Sequence, residues 1–185
     1  MSNPEILQIL RHQQLVIDTI HGSNEEAYMH AMRNGASIPQ QSVADARTLA
    51  NNFILIEIIG ARDTSKPVHT RLEHLGNAMH TLQDSTSPPH HGFQSWPWPY
   101  IHPLSVRDHA NAENFDPGYG SQLDAATLRV WNLFVGPTRQ LLGDFFNGLE
   151  ADKSPFELAQ EQFLFHGGYQ VQSGTTACDM GVLFF

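Results

Sequence analysis

Cysteine is almost absent from this chain, and its scarcity excludes two kinds of stabilising chemistry. Cys178 is the only cysteine among 185 residues, so the chain forms no internal disulfide and builds no structural zinc site from thiolates. Basic residues are also scarce, because 10 lysines and arginines stand against 19 aspartates and glutamates, a formal net charge of −9. An acidic surface repels the phosphates of nucleic acid, so we do not expect binding to a duplex through a basic patch.

Long apolar runs are missing as well. No stretch approaches the ~18–20 apolar residues that a membrane-spanning helix needs, and Met1–Glu5 lacks the basic start and apolar run of a signal peptide. We therefore expect no transmembrane segment, and either a cytoplasmic location in the producing cell or delivery by a secretion system as part of a larger protein. No repeat or linker divides the sequence, so we expect residues 1–185 to form a single domain.

Histidine, in contrast, is in excess. The 11 histidines outnumber the lysines and arginines together, and they are dispersed along the chain rather than grouped as in a cloning tag. Neutral imidazole is the commonest protein ligand of metal ions, so this excess favours metal binding or proton transfer.

The apolar spacing predicts helices, and no segment alternates in the way a half-buried strand does. Long helices are expected near residues 4–20, 42–61, 68–84 and 121–135, with shorter ones near 25–33, 106–114 and 137–147 and another from Ser154. The expected inner faces are Ile6, Ile9, Val16 and Ile20 on the first helix, Leu49, Phe53 and Ile56 on the second long helix, and Leu72, Leu75, Met79 and Leu82 on the third.

His80 with Asp84 and His109 with Glu113 are histidine–carboxylate pairs with the spacing of one helical turn. His80 precedes Asp84 by four residues, and His109 precedes Glu113 by four. On a helix, residues four apart share a face, where they can grip one ion. His90 follows the helix-breaking Pro88-Pro89 and so can approach from another direction; His91 is the alternative at this point, but the spacing favours His90. A single pair is often a chance surface pair, whereas two pairs with a histidine between them indicate a metal site.

These residues resemble a known family. His80-x3-Asp84-x5-His90 followed by His109-x3-Glu113 is similar to the bacterial zinc-dependent phospholipase C pattern, a family that shares its fold with fungal single-strand zinc nucleases. Leu75-Gly76-Asn77-Ala78-Met79 and Glu113-Asn114-Phe115 also look like the phospholipase pattern, and the resemblance covers about residues 72–115. The nucleases usually pair the second histidine with aspartate, so Glu113 favours the phospholipase branch. The resemblance implies an all-α, multi-helix domain of the zinc phospholipase C type.

The resemblance also implies a ligand set for two or three zinc ions. His80 and Asp84 would bind one zinc, with Asp84 reaching a second ion. His90, His109 and Glu113 would hold another ion.

Further ligands are implied upstream. His30 lies 50 residues before His80, about the interval of the family's upstream histidine. His12 is the candidate for the first-helix ligand, and either Asp18 or His21 for an additional one. The family's phospholipases also use the amine and carbonyl of a mature N-terminal tryptophan, whereas this chain starts with Met1, a departure that leaves the third ion site to be completed differently.

Aromatic residues follow His90. Trp96 and Trp98 have two interpretations: they pin a long loop to the core, or they form a substrate-binding rim for a lipid head group or a base through cation–π contact or stacking. The remaining histidines, His69, His74, His102 and His166, are predicted to be surface or loop residues.

The expected function is hydrolysis of a phosphate ester, with a phospholipid as the first substrate class. Clustered zinc would lower the pKa of a bound water to ~7 and so supply the nucleophile. One alternative is a nuclease acting on single-stranded nucleic acid with the same metals. Another is a non-catalytic, metal-stabilised interaction module with closed coordination.

The sequence 78–85 is also similar to toxin domains at the ends of Rhs-type polymorphic bacterial proteins. This resemblance implies an antibacterial effector with an immunity protein as partner. The alternative is a cytosolic housekeeping hydrolase.

Overall fold

The computed structural model describes residues 2–35, 37, 39, 41–87, 90, 92, 93, 95, 96 and 119–149. Helices account for 69% of these residues, as the all-α prediction requires. The helices predicted near 106–114 and from Ser154 lie outside the described residues. The assignment to the zinc phospholipase C type and the single domain over residues 1–185 stay predictions.

The described elements follow one another as four long helices with short pieces between them. They are α1 (Asn3–Ile20), the 3-10 helix η1 (Asn24–His30), β1 (Arg33–Asn34), α2 (Val43–Arg62), α3 (Val68–Asp84), β2 (Ser95–Trp96), α4 (Tyr119–Val135) and the 3-10 helix η2 (Thr138–Leu141). The predicted bounds of the long helices are right to within two residues. Two shorter predictions were wrong in type or extent, because residues 24–30 form a 3-10 helix and the segment 137–147 contains only the short η2.

Helix α3 is the centre of the bundle, and it packs against α1, α2 and α4. Two glycines allow the close approach. A Cβ atom on Gly60 of α2 would lie 2.8 Å from the ring of His74, and one on Gly76 of α3 would lie 2.9 Å from Cβ of Gln13. Such separations are shorter than carbon–carbon contact, so the helices approach closely only where the side chain is missing.

The buried apolar residues of α2, α3 and α4 form one core with the turns around η2. Its members include Ala50, Ile54, Ile58, Leu75, Leu82, Val130 and Phe146. The predicted inner face of α3 is confirmed, since Leu75, Met79 and Leu82 are buried and Leu72 packs against the core.

Two other predicted inner faces were partly wrong. On α1, Ile17 is buried while Ile20 is exposed; on α2, Ile54 and Ile58 are buried while Ile56 is 63% exposed. Leu49 of α2 is exposed as well. Helix α2 carries apolar residues on more than one side, so its sequence pattern does not predict which side is buried. The side that packs against α3 is the one that carries alanine and glycine.

The carboxyl ends of α1 and α3 meet beside η1. Gln14 and Gln83 join the two helices through a hydrogen bond of 2.7 Å from Nε2 to Oε1, and Thr81 donates to the carbonyl oxygen of Met29 in η1 at 2.6 Å. The last turns of α1 and α3 contain no basic residue. A helix carboxyl end carries a partial negative charge, so this junction favours a cation. None of the described helices is long and apolar enough to span a membrane.

Candidate metal centre

Four ionisable side chains converge where α1 and α3 end. Asp18 comes from α1, His30 from η1, and His80 and Asp84 from α3; together they are called the ligand cluster. The predicted pair on α3 shares one face, because His80 Nε2 lies 2.9 Å from Asp84 Oδ2. The two imidazoles are buried, and the Asp84 side chain is 13% exposed. The side chain of Asp18 is 56% exposed and so forms the open side of the cluster.

The distances within the ligand cluster suit a single ion. His30 Nδ1 lies 3.1 Å from His80 Nε2 and 3.3 Å from Asp84 Oδ2. Asp18 Oδ1 lies 3.5 Å from His80 Nε2 and 3.9 Å from His30 Nδ1. Nitrogen and oxygen ligands bind zinc at ~2.0–2.2 Å, and two ligands at tetrahedral angles are then about 3.3 Å apart. Each of these pairs therefore stands close to the separation of two ligands in a tetrahedral site, and Asp18, His30 and His80 form a mutually close group.

One hydrogen bond decides which nitrogen of His30 faces the cluster. Its Nε2 donates to the carbonyl oxygen of His21 at 3.0 Å. In neutral imidazole the other nitrogen then carries the lone pair, and Nδ1 is the atom that points toward His80 and Asp84. Ligating histidines commonly use such a bond from the outer nitrogen to fix tautomer and ring orientation. His30 thus has the orientation of a metal ligand.

His90 lies next to the ligand cluster. It is buried, its Nδ1 donates to the carbonyl oxygen of His30, and this nitrogen is 3.9 Å from Asp84 Oδ2. The structure therefore brings together His30, His80, Asp84 and His90 of the predicted ligands. His109 and Glu113 lie outside the described residues, as do His91 and Trp98. The second ion site expected from His90, His109 and Glu113 stays a prediction.

The two remaining predicted ligands lie elsewhere. His12 is exposed on α1, six residues before Asp18 and hence about 9 Å away along the helix axis. His21 pairs its ring with Glu26, with 2.7 Å between Nδ1 and Oε1, and contributes its carbonyl oxygen to His30 instead. Asp18, which the resemblance offered as the alternative to His21, is the residue whose side chain joins the cluster.

The electrostatics of the ligand cluster favour a positive charge among its carboxylates. Burial raises the pKa of Asp84, but the neighbouring His80 and His90, the contact with His30 and the hydrogen bond from His80 hold this pKa well below its usual value. Burial also lowers the pKa of His80, but the Asp84 carboxylate reverses this and raises the pKa above its ordinary value. Without an ion and below the raised pKa of His80, the pair therefore holds a proton on His80 beside ionised Asp84. A divalent cation in place of that proton would bring a larger positive charge to the same carboxylates.

Trp96 covers one face of the cluster. Its indole stacks on His30 with 4.7 Å between ring centroids and an angle of 9° between ring planes. Its Nε1 donates to the carbonyl oxygen of Gly22 at 3.0 Å. For Trp96, these contacts agree with the interpretation that the indole pins its segment to the rest of the protein. The substrate-binding role of Trp96 and Trp98 stays a prediction.

A second polar group, which the sequence interpretation missed, joins α2 to α3. Glu57 is buried, and its Oε2 lies 2.7 Å from His74 Nδ1 and accepts from Asn77 Nδ2 at 3.0 Å. His74 Nε2 lies 2.9 Å from Lys66 Nζ. His74 was expected on the surface, but it lies half-buried against Gly60. The sequence signal that could have predicted this contact is Glu57, which lies one turn before Gly60 on the same side of α2.

Comparison of the chain with models of known protein families, with curated proteins and with solved structures found no match. The candidate function therefore rests on the ligand cluster and on the motif that contains His80 and Asp84.

Proposed function

We propose that this chain is a metal-dependent hydrolase of phosphate esters, with a divalent ion held by Asp18, His30, His80 and Asp84. One observation carries the proposal: donor atoms from three separate elements converge, and each imidazole lies 2.9–3.9 Å from the other imidazole and from both carboxylates. The hydrogen bond from His30 to His21 supports it, because that bond turns the unprotonated nitrogen inward.

The donor set favours zinc. Two imidazole nitrogens and two carboxylate oxygens suit zinc and related transition ions better than calcium or magnesium, which prefer oxygen alone. The spacing between donors agrees with four-coordinate geometry, and the single cysteine, Cys178, is not needed for it.

The exposure of Asp18 favours catalysis over a closed structural site. Structural zinc sites are enclosed by four protein ligands, whereas catalytic sites keep a position open for water or substrate. The other three members of the cluster are buried or nearly so, while the Asp18 side chain is 56% exposed. The cluster is thus accessible from one side. Water or an ester would reach the ion there as a fifth ligand, as catalytic zinc sites that expand to five-coordinate allow, and this access supports a hydrolase rather than a metal-stabilised interaction module.

The bound ion would supply positive charge beside the ester and lower the pKa of water bound to it. The chain itself provides orientation. The His21 carbonyl oxygen holds His30, and Asp84 Oδ2 lies within 3.3 Å of both cluster imidazoles, so one carboxylate aligns them. Trp96 excludes solvent from the stacked face of His30, which leaves the Asp18 side for an incoming ester.

A phospholipid is the first substrate class to test. The net charge of −9 opposes the approach of a polyanion, whereas the head group of phosphatidylcholine is zwitterionic. Glu113 supports the same choice through the resemblance to phospholipases. Single-stranded DNA is the second substrate, since the same donor set would serve a nuclease.

The test combines metal analysis with parallel assays. Protein purified without a tag is analysed for bound metals, loaded with zinc, and assayed on phosphatidylcholine vesicles and on single-stranded DNA. We expect bound zinc and hydrolysis of the lipid. Hydrolysis of DNA alone would assign the nuclease activity instead, and wild-type protein that is folded but binds no divalent metal would overturn the proposal.

A further inference from the structure

Two rings lie face to face at the edge of the ligand cluster, and consecutive carbonyl groups hold them. His30 donates from Nε2 to the carbonyl oxygen of His21, and Trp96 donates from Nε1 to that of Gly22, both at 3.0 Å. Because the acceptors are neighbours in the chain, the two hydrogen bonds keep the rings stacked. The two ring planes are 9° apart, so the rings are nearly parallel.

The orientation of His30 is fixed by contacts of different kinds. The hydrogen bond to His21 selects the nitrogen that points inward, and the indole of Trp96 fixes the plane of the ring. His80 meets that ring edge-on, with 5.0 Å between centroids and 83° between planes. If the indole were absent, the His30 ring could tilt away from the direction that its Nδ1 needs.

Trp96 also connects two segments that carry predicted ligands. It belongs to β2, which pairs in parallel with β1, and β1 follows η1 and His30 closely in the chain. Its ring centroid lies 6.4 Å from that of His90, which precedes it in the sequence. The indole therefore fastens the segment after His90 to the turn that holds His30.

We infer that Trp96 is a positioning residue of the metal centre, acting through His30 rather than as a ligand. This inference rests on the proposed metal site. An ion bound by His30 would withdraw electrons from its ring, and the electron-rich face of an indole stabilises such a ring. The stack would then be stronger with the ion bound than without it, so metal affinity would depend on the indole.

The first experiment is a zinc titration against a competing chelator. Wild type, Trp96→Ala, Trp96→Phe and the control Trp131→Phe are compared. Trp131 lies on α4, 49% exposed and against Phe134. We expect Trp96→Ala to weaken binding roughly 10–100-fold, the range for partners outside the ligand set. Trp96→Phe should weaken binding less, because it keeps an aromatic face but loses the bond to Gly22, and Trp131→Phe should have no effect. Equal affinity of wild type and a folded Trp96→Ala variant would overturn the inference.

A second measurement uses the wild-type chain, so that a folding defect cannot decide the result. The three tryptophans are labelled as 5-fluorotryptophan and followed by fluorine NMR, with Trp96→Phe and Trp131→Phe assigning their resonances. Zinc should shift the Trp96 resonance with the midpoint of zinc binding and leave that of Trp131 in place. Zinc binding without a shift at Trp96 would refute the positioning role alone, whereas no zinc binding at all would refute the proposed function.

Discussion

The two ends of α3 carry the same sequence feature in different surroundings. His69 and Glu73 near its start, and His80 and Asp84 at its end, are both histidine–carboxylate pairs four residues apart. The first pair is 3.2 Å apart with side chains 60% and 39% exposed. The second is 2.9 Å apart with side chains 5% and 13% exposed, and it lies beside His30 and Asp18. The spacing puts both pairs on a helix face, but only the second meets donors from other elements. Spacing along a helix therefore does not by itself bring such a pair to donors from other elements.

The largest expected effect separates the two pairs by metal content. We expect His80→Ala and Asp84→Ala each to remove bound zinc and reduce hydrolysis to background, because each deletes one of the few donors. His69→Ala and Glu73→Ala should keep the metal content and rate of wild type. Elemental analysis and the lipid assay measure both. Unchanged zinc in either cluster variant would show that the ligand cluster is misassigned.

Growth of a bacterial host extends the comparison to cells. If the domain is an effector toxin, wild type and His69→Ala, each exported with an added periplasmic signal, should inhibit growth, while a variant lacking His80 and His109 should not. An immunity protein should relieve the inhibition. Growth is measured with and without the signal, beside confirmation that each protein is soluble and that the first two carry zinc. Equal growth of all strains would contradict the toxin hypothesis.

Stability of the metal-free protein should also differ between the pairs. Asp84→Asn removes the carboxylate that faces buried, protonated His80, and removal of one partner from a buried ion pair costs about 3–5 kcal/mol. Glu73→Gln alters an exposed pair and should cost ~0.2–1 kcal/mol. Urea unfolding at pH 6 in the presence of chelator measures both. Similar losses for the two variants would mean that burial does not distinguish these pairs.

The smallest effect concerns pH. The pKa of His80 is raised in the folded chain, so its contribution to the stability of metal-free protein is full below pH ~6.5 and declines as pH rises through the raised pKa. The Asp84 pKa is lowered, so its contribution is lost only in acid. Zinc binding displaces the proton from His80, and affinity should therefore increase with pH across the same range. Calorimetry of zinc binding in buffers of different ionisation enthalpy should detect proton release, and the His69→Ala variant should release the same number of protons. If zinc binding released no proton, His80 would not be protonated in the metal-free protein.

Prediction from the sequence succeeded where the signal was local. Helix α2 starts within one residue of the predicted position 42, where the Oγ of Ser42 caps it by accepting from the backbone nitrogen of Asp45 at 3.0 Å. The bounds of α3 are those predicted. The predictions failed where contacts with distant segments determine which side chains are buried. The inner face of α2 depends on its contact with α3. The residues next to His74 in the sequence do not show that its ring packs on Gly60 and pairs with Glu57, because both belong to another helix.

The sequence by itself determined that His80 and Asp84 share a face of α3, because the helical period places residues four apart on one side. The resemblance added His30, at an interval of 50 residues. Only the tertiary structure decided that Asp18, rather than the rings of His12 or His21, joins these residues, and that Trp96 lies flat on His30. The reason is geometric: donors from separate elements meet only when the carboxyl ends of α1 and α3 are packed beside η1, and that packing depends on contacts between residues far apart in the chain.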